Sequence, residues 1–288
     1  MIPGMPGDSQ VYLNGEFTRA DQAKISVLDR GFIFGDGIYD VVPVYDGKAL
    51  RMTEHLDRLD RSLKALSIGQ PMSRAEWENL VGELIRRSAT PSCLVYLQVT
   101  RGVYKRDHAF PKEPITPTVF GMATAFAQPT AAQREQGIKV ISITDERWLH
   151  CEIKSISLLG NVLARQKAVE AGVDEVAQFR DDFLTEGSSC NLWIVSGGKL
   201  MVPPKDNLIL EGIRYSLLGE LADKVGVPFE ARRIARDEVE SADEILASSA
   251  TKGVLPVTSF DGKPVGNGKP GPVYAKLRAA YDDLIASL

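Results

Sequence analysis

The stretch RWLHCEIKSISLLGNVLARQKA occupies residues 147–168, and the first of its two lysines, Lys154, lies in mostly apolar surroundings just before a helical pattern. Desolvation in such surroundings disfavours the charged form of a lysine. A neutral amine is what a lysine needs to form a Schiff base with a carbonyl compound. A lysine can also extend its amine to the surface along its apolar stem, so the stretch alone leaves both interpretations open.

A second segment, LTEGSSCN, covers residues 184–191 and precedes the apolar run 192–195. Its acid, Glu186, follows Lys154 by 32 residues. A carboxylate held there could form a charge-assisted hydrogen bond with the protonated nitrogen of a heterocycle. The plainer alternative is a polar turn that leads into a strand.

Other segments could receive anions. Arg58 faces away from the leucine stripe of a predicted helix, where an arginine is usually solvated. Gly212-Ile213 opens another predicted helix, whose first backbone amides and positive dipole end suit a phosphate, and SSAT at 248–251 offers hydroxyls and amides.

The glycine-rich run RGFIFGDGIY (30–39) contains neither GxGxxG nor GxxxxGK[ST], so it indicates neither a Rossmann nor a Walker site.

The segment TRGVYKRDHAFP, residues 100–111, concentrates positive charge in a predicted loop after a strand. Arg106 and His108 alternate, so both point the same way if the segment is extended. That arrangement could bind a carboxylate. A solvated basic loop is the alternative.

Composition excludes several classes of protein. The 288 residues are 44% hydrophobic and 25% charged, which is typical of soluble globular proteins, and the net charge of -4 gives no general basic field for nucleic acid. The few histidines show no zinc-binding spacing, so we expect no metal, and the scattered cysteines indicate reduced thiols: Cys93, Cys151 and Cys190. We expect no signal peptide in residues 1–8, no membrane-spanning segment and a cytoplasmic location.

Periodicity predicts a mixture of strands and helices. Asn14-Gly15 and Asp46-Gly47 mark two hairpins, the second with strands at 39–44 and 49–52. Thr53 is the predicted N-cap of an amphipathic helix, and Ser73 with Glu76 forms a capping box that opens the next. Further strands are predicted at 93–100, 118–126 and 138–143, and further helices at 158–171, 213–225 and 273–288.

The mixed spacing of these elements favours an α+β fold in two domains. The small, polar segment 128–137 is the predicted linker. It separates an N-terminal α+β domain at 1–127 from a C-terminal domain at 138–288.

The joint occurrence of these segments in this order resembles the fold-type IV pyridoxal-phosphate enzymes, which include D-amino-acid and branched-chain aminotransferases and aminodeoxychorismate lyases. The resemblance rests on DRGFIFGDGIYD (29–40), HLDRL (55–59), the stretch 147–168, TEGSSCN (185–191), EGI (211–213) and SSAT (248–251). It implies a smaller N-terminal α/β domain and a larger C-terminal domain that binds the cofactor pyridoxal 5'-phosphate, with a barrel-like β core and helices.

The resemblance also implies roles for single residues. Lys154 matches the lysine that holds the cofactor as a Schiff base, and Glu186 matches the acid that pairs with the pyridine nitrogen. The cofactor phosphate is expected at Arg58, at the amides of Ile213 and Arg214, and at the loop with Ser249 and Ala250. Tyr39 and Arg147 match a pair near the phenolic oxygen and the substrate, and Thr251 is expected on the substrate side.

Within this family, Arg106 and His108 resemble the carboxylate trap of D-amino-acid aminotransferases, in which the pair reaches the partner subunit's site. The resemblance therefore implies a homodimer that transaminates a D-amino acid of the D-alanine type with 2-oxoglutarate or pyruvate. Its alternatives are a branched-chain L-aminotransferase, an aminodeoxychorismate lyase and an (R)-amine transaminase on the same fold. A catalytically silent binding protein is the alternative from another class.

The chain departs from the family's pattern at four positions. Arg214 stands where a threonine is common, and Ala250 replaces a second hydroxyl residue of the phosphate loop. Pro43 occupies a strand position that is often polar in D-amino-acid enzymes, and His150 replaces a frequent arginine. The first two changes keep the backbone amides, whereas Pro43 is expected to reshape the side-chain pocket.

Overall fold

The computed structural model of the chain describes residues 9–88 and 90–288. The segment on which the expectation of no signal peptide rests, residues 1–8, lies outside the described residues. The described chain divides into two compact units, one reaching to Phe126 and including Ile153–Ser157, the other formed by Ala127–Glu152 and Leu158–Leu288.

The first unit combines one sheet with two long helices. Its elements are β1 (Gln10–Leu13), β2 (Glu16–Arg19), α1 (Arg30–Phe34), β3 (Gly37–Tyr45), β4 (Lys48–Ala49), α2 (Met52–Ala65), α3 (Arg74–Arg87), β5 (Cys93–Thr100) and β6 (Thr118–Ala125). Among the described residues, six strands form an antiparallel sheet in the order β2-β1-β6-β5-β3-β4. One face of this sheet is buried together with apolar residues of α2 and α3, because alternate residues of β3 and β5 point to the same side.

The second unit is built on a larger mixed sheet. Its elements are α4 (Ala131–Gln136), β7 (Ile138–Thr144), α5 (Leu159–Glu170), β8 (Glu175–Arg180), β9 (Phe183–Leu184), β10 (Asn191–Ser196), β11 (Lys199–Val202), α6 (Ile213–Lys224), β12 (Phe229–Ala231), α7 (Arg236–Glu240), β13 (Glu244–Ser249), β14 (Gly253–Phe260), β15 (Lys263–Pro264) and α8 (Pro272–Ala286). In the described chain the strand order is β12-β11-β10-β13-β14-β7-β8-β9, with β15 paired to β14. The predicted α+β fold is confirmed, with its main β core in the second unit.

Local structure departs from the sequence prediction at the start of α2. Arg51, with a left-handed φ of 57°, precedes the helix, and Thr53 lies inside the first turn instead of capping it. The second hairpin also ends early, since β4 stops at Ala49 and the amide of Leu50 donates to the Pro43 carbonyl. The buried Leu50 therefore closes the turn and lets the helix begin at Met52.

The predicted linker at 128–137 contains a helix. Thr130 and Gln133 form a capping box that starts α4, and the segment belongs to the second compact unit. Reciprocal hydrogen bonds from a capping box satisfy amides that a flexible linker would leave to water. Composition alone suggested a linker because the capping residues are themselves small or polar.

Candidate active site

Lys154 lies on the edge of the sheet of the first unit, although the chain on both sides of 153–157 belongs to the second. Ser155 forms a bridge with Ile38 of β3, and the amide of Tyr39 donates to the Lys154 carbonyl at 3.0 Å. These bonds extend the sheet beyond β3 and fix the lysine beside Tyr39. The Lys154 Nζ lies 4.2 Å from the centre of the Tyr39 ring, so two predicted site residues are in contact.

Arg58 is buried, which excludes the solvated arginine that was the alternative for its helix face, while its predicted role at the cofactor phosphate stays a prediction. Its Nε and Nη2 each lie 2.8 Å from a carboxylate oxygen of Asp40, and His55 Nδ1 lies 2.6 Å from the same carboxylate. Burial works against ionisation of Asp40, but Arg58 and His55 outweigh it and hold the pKa of this carboxyl well below its usual range. Asp40 thereby orients the Arg58 guanidinium and keeps its charge balanced inside the unit.

Arg106 and His108 lie in the irregular segment between β5 and β6, and both contact the ring of Phe34. The Arg106 guanidinium is 5.5 Å from the ring centre and the His108 ring is 5.3 Å from it. Arg30 holds the same loop through the carbonyls of Asp107, at 2.5 Å, and His108, at 3.4 Å. The two predicted clamp residues therefore share one aromatic neighbour, and their binding of a carboxylate stays a prediction.

Glu186 is buried in the second unit and is bound on both oxygens. One oxygen pairs with Arg147, while the other accepts from the Asn191 side chain at 3.2 Å and from the Leu210 amide at 3.1 Å. Burial raises the pKa of the Glu186 carboxyl to about 7, although Arg147 lowers it. The structure thus joins Arg147 directly to Glu186, whereas the sequence assigned the two residues to different parts of the cofactor.

Asp145 completes this cluster. It binds the Arg147 guanidinium through both carboxylate oxygens, at 2.9 and 2.8 Å, and accepts from the Thr185 hydroxyl at 2.8 Å. Arg147 therefore carries one positive charge between two buried carboxylates. Its predicted contact with the phenolic oxygen of the cofactor stays a prediction.

Apart from Arg58, which lies in the first unit, the predicted phosphate residues occupy two places in the second unit. Ile213 and Arg214 are the first residues of α6, whose N-cap Gly212 offers no side-chain cap. The first amides of a helix have no intrahelical partner and lie at its positive end. Gly212 is needed there, since a Cβ at this position would lie 2.4 Å from the Asn191 side-chain oxygen.

The second place is the turn between β13 and β14. The hydroxyls of Ser249 and Thr251 lie 3.2 Å apart, and the Ser249 hydroxyl accepts from the Lys252 amide. Ala250 contributes no hydroxyl between them, but a backbone amide remains at its position. The turn therefore presents two hydroxyls close together, and their contact with a phosphate stays a prediction.

The Arg214 side chain is an unexpected buried charge. It is 1% exposed, its Nε donates to the Tyr281 hydroxyl at 3.1 Å, and its two terminal nitrogens have no hydrogen-bond partner among the described residues. A buried cation is costly unless it is compensated. The departure from the family's threonine therefore adds positive charge at the start of α6.

Of the remaining departures, His150 is exposed and lies 3.5 Å from Glu152, and Pro43 lies within β3 opposite Leu94. Sequence reasoning missed Asp40 and Asp145 as partners of the two arginines. Both were detectable in principle, because a lone acid inside or directly after an apolar strand needs a buried counter-charge.

Two further observations concern ligands and membranes. The described residues contain no group of three or more His, Cys, Asp or Glu side chains that could hold a metal ion. None of the helices in the described part of the chain has the length and apolar character that crossing a bilayer requires.

Comparison with known proteins identifies relatives over nearly the whole chain. The amino-transferase class IV family matches residues 37–260. The D-alanine aminotransferase of Staphylococcus aureus strain MSSA476 is 36% identical over 278 residues, which cover 96% of this chain and 98% of that protein. The D-alanine aminotransferase of Bacillus licheniformis is 35% identical over the same shares.

Solved structures agree with this likeness. A T.th. branched-chain amino acid aminotransferase, solved with pyridoxamine 5'-phosphate, has a TM-score of 0.90 and 26% identity, covering 97% of this chain and 95% of that one. The Escherichia coli branched-chain amino acid aminotransferase has a TM-score of 0.91 at 24% identity over 96% and 95% of the two chains, which shows the fold. The predicted resemblance is confirmed, and the chain belongs to the amino-transferase class IV family.

Proposed function

We propose that the protein is a pyridoxal-phosphate-dependent transaminase that moves the amino group of a D-amino acid, of the D-alanine type, to a 2-oxo acid such as 2-oxoglutarate or pyruvate. The observation that carries this proposal is the 36% identity to D-alanine aminotransferases over almost the full length of both chains. The contact of Arg106 and His108 with one aromatic ring supports it, because paired donors on one side suit a carboxylate.

The residues of this chain fit the proposed cofactor. The buried Glu186 carboxylate suits a protonated ring nitrogen. The start of α6, where the terminal nitrogens of the Arg214 guanidinium have no hydrogen-bond partner among the described residues, and the hydroxyls of Ser249 and Thr251 suit a phosphate dianion. Lys154 supplies the amine for covalent attachment, and the resemblance assigns Arg58, which Asp40 orients, to the phosphate.

Each residue then has a chemical task. When bound, pyridoxal phosphate supplies an electron sink for bond breaking at the substrate Cα. Lys154 would hold the cofactor until substrate binds, and its freed amine would accept the proton from the substrate Cα and pass it on to the cofactor. Glu186 keeps a proton on the ring nitrogen, and Arg147 holds Glu186 in place. The overall reaction alternates two half-reactions, so ping-pong kinetics are expected.

The assembly we propose is a homodimer in the cytoplasm, without nucleic-acid or membrane partners. Apolar side chains of α5 are more than half exposed in the single chain, namely Leu159, Val162 and Leu163. A contiguous exposed apolar patch marks an interaction surface. In this assembly the loop with Arg106 and His108 serves the partner's site, as the resemblance implies.

Two measurements test the proposal. Borohydride treatment of the protein reconstituted with pyridoxal phosphate, followed by peptide mapping, is expected to label Lys154, with Lys154→Ala as the unlabelled control. A screen of D-alanine and L-leucine with 2-oxoglutarate is expected to show turnover of the D-amino acid. Preferred turnover of L-leucine supports the branched-chain alternative, pyruvate release from aminodeoxychorismate alone supports the lyase, and turnover of (R)-1-phenylethylamine supports the amine transaminase.

The carboxylate clamp has its own test. Arg106 is exposed in the single chain, and in the proposed dimer the bound substrate and the partner subunit shield it from water. Removing one partner of a charge pair shielded from water costs about 2–5 kcal/mol, so Arg106→Ala is expected to raise the KM for D-alanine steeply. Lys105→Ala, one residue away and equally cationic, is the matched control and is expected to leave KM nearly unchanged. Equal KM values for D-alanine in the wild type and Arg106→Ala contradict the clamp, provided that both proteins bind the cofactor.

A further inference from the structure

Glu175 is a buried carboxylate that none of the roles above uses. It is the first residue of β8 and is fully excluded from solvent. One of its oxygens accepts from the Ser188 amide at 2.9 Å and from the Ser188 hydroxyl at 2.5 Å. Ser188 belongs to the same short loop as Glu186, so the hydrogen bonds from Ser188 to Glu175 fix the position of that loop.

The other oxygen of Glu175 binds a different loop. The Lys252 ammonium lies 3.0 Å from it, and the Lys252 amide donates to the Ser249 hydroxyl at 3.1 Å. Ser249 in turn lies 3.2 Å from the Thr251 hydroxyl. The Lys252 ammonium also lies 3.4 Å from the Ser189 hydroxyl, so the two loops are joined twice.

This ion pair costs free energy to keep charged, because Glu175 is fully buried and Lys252 only partly exposed. Burial disfavours the charge of Glu175, yet Lys252 and the Ser188 hydroxyl hold the pKa of the carboxyl below its ordinary value. Apolar residues of similar volume often replace a buried ion pair without loss of stability. A pair that joins two functional loops is therefore better explained by the geometry it imposes on them than by stability.

We propose that Glu175 is a positioning residue that fixes the loop with Ser249 and Thr251 relative to the loop with Glu186. Through Lys252 it sets where the two hydroxyls meet the cofactor phosphate, while through Ser188 it sets where Glu186 meets the ring nitrogen. This inference rests on the proposed function, because it assigns both loops to one cofactor.

The experiment compares two ligands, pyridoxal phosphate and pyridoxal, which lacks the phosphate. Glu175→Gln keeps an oxygen for Ser188 but removes the counter-charge of Lys252, and Lys252→Met breaks the same link from the other side. Glu244→Gln is the matched control, since Glu244 is also a buried acid of the second unit and accepts from the Val273 and Tyr274 amides at the start of α8. Dissociation constants and melting temperatures are measured for every variant.

We expect Glu175→Gln and Lys252→Met each to raise the dissociation constant for pyridoxal phosphate at least about tenfold, and that for pyridoxal by less than about threefold. The double variant is expected to lose no more affinity than either single variant, because both changes break one interaction. Glu244→Gln is expected to lower the melting temperature without changing the ratio of the two constants.

Other results overturn the inference. If both ligands weaken equally in Glu175→Gln and Lys252→Met, or if neither weakens, the pair is only structural. Should Glu175→Gln fail to fold, Lys252→Met decides, because the Lys252 side chain is partly exposed. A wild-type protein that binds neither ligand at Lys154 refutes the proposed function itself, which is a distinguishable outcome.

Discussion

Asp40 in the first unit and Glu186 in the second are both buried acids bound to an arginine, yet their environments push their pKa values in opposite directions. Asp40 faces two cationic partners, Arg58 and His55, which overcome burial and hold its pKa well below the usual range. Glu186 faces one cation, Arg147, which Asp145 also binds, and burial raises its pKa to about 7.

The difference indicates two uses of the same kind of contact. The charge of Asp40 is compensated inside the protein by Arg58 and His55, so Asp40 serves as an anchor that orients Arg58. Glu186 is only partly compensated, which leaves its carboxylate able to stabilise one more positive charge. A protonated ring nitrogen is such a charge, so the pKa contrast separates the residue that positions from the residue proposed to tune the chemistry.

The largest expected effect comes from breaking the anchor. Asp40→Asn leaves Arg58 buried without its counter-charge, so the free energy of unfolding is expected to fall by about 3–5 kcal/mol. Urea unfolding of the cofactor-free protein measures this. Asp57→Asn, next to Arg58 in α2, is the matched control, because Asp57 pairs with Arg74 while 44% exposed, and such surface pairs contribute only about 0–1 kcal/mol.

If Asp40→Asn and Asp57→Asn lower the free energy of unfolding equally, Asp40 does not anchor Arg58. The proposed difference in role between Asp40 and Glu186 is then wrong for Asp40.

Glu186 is expected to affect catalysis more than folding. Glu186→Gln keeps an oxygen for Asn191 and for the Leu210 amide but removes the charge that holds a proton on the ring nitrogen. Loss of one preorganised electrostatic partner typically lowers kcat about 10²–10³-fold, which corresponds to about 2.7–4 kcal/mol. Steady-state kinetics on D-alanine measure the loss, and borohydride labelling of Lys154 checks that the cofactor is still attached.

A labelled Glu186→Gln variant with unchanged kcat contradicts the proposed role of Glu186. Glu186→Asp provides the matched comparison, since it keeps the charge on a shorter side chain and is expected to recover part of the activity.

Local signals predicted much of this structure. The strand at 93–100 coincides with β5, and Ser73 with Glu76 forms the predicted capping box of α3. Such features depend on residues close in sequence, for which alternation and capping chemistry suffice. The resemblance assigned Lys154 and Tyr39 to one site, and the two side chains are in contact.

Long-range charge pairing escaped prediction. Nothing in the leucine periodicity of α2 indicates that Arg58 turns inward, because its partner Asp40 lies 18 residues earlier on β3. The link from Glu175 to Lys252 spans 77 residues and depends on how β8 and the turn after β13 meet. A single sequence does not show which residues far apart along the chain are close in space. The buried acids could therefore be suspected from the sequence, but their partners could not be identified.

The smallest of the expected effects is a difference in pH dependence between the two acids in the cofactor-free protein. The folded pKa of Asp40 lies below its unfolded value, so its stabilisation is present above about pH 4 and is lost as the pH falls. The folded pKa of Glu186 is about 7 against an ordinary 4.5, so the folded state binds the extra proton between these values and stability falls as the pH rises. Because a tenfold change in proton affinity corresponds to about 1.4 kcal/mol, the loss over the interval is roughly 3 kcal/mol.

Urea unfolding at several pH values measures both slopes, and the variants isolate them. In Glu186→Gln the fall in stability between about pH 4.5 and about pH 7 is expected to disappear, because glutamine does not titrate. Asp40→Asn is expected to keep that fall and to lose the acid-side slope instead. If the free energy of unfolding changes with pH in the same way for the wild type and for Glu186→Gln between about pH 4.5 and about pH 7, burial does not raise the pKa of Glu186. The two acids then differ only in their partners.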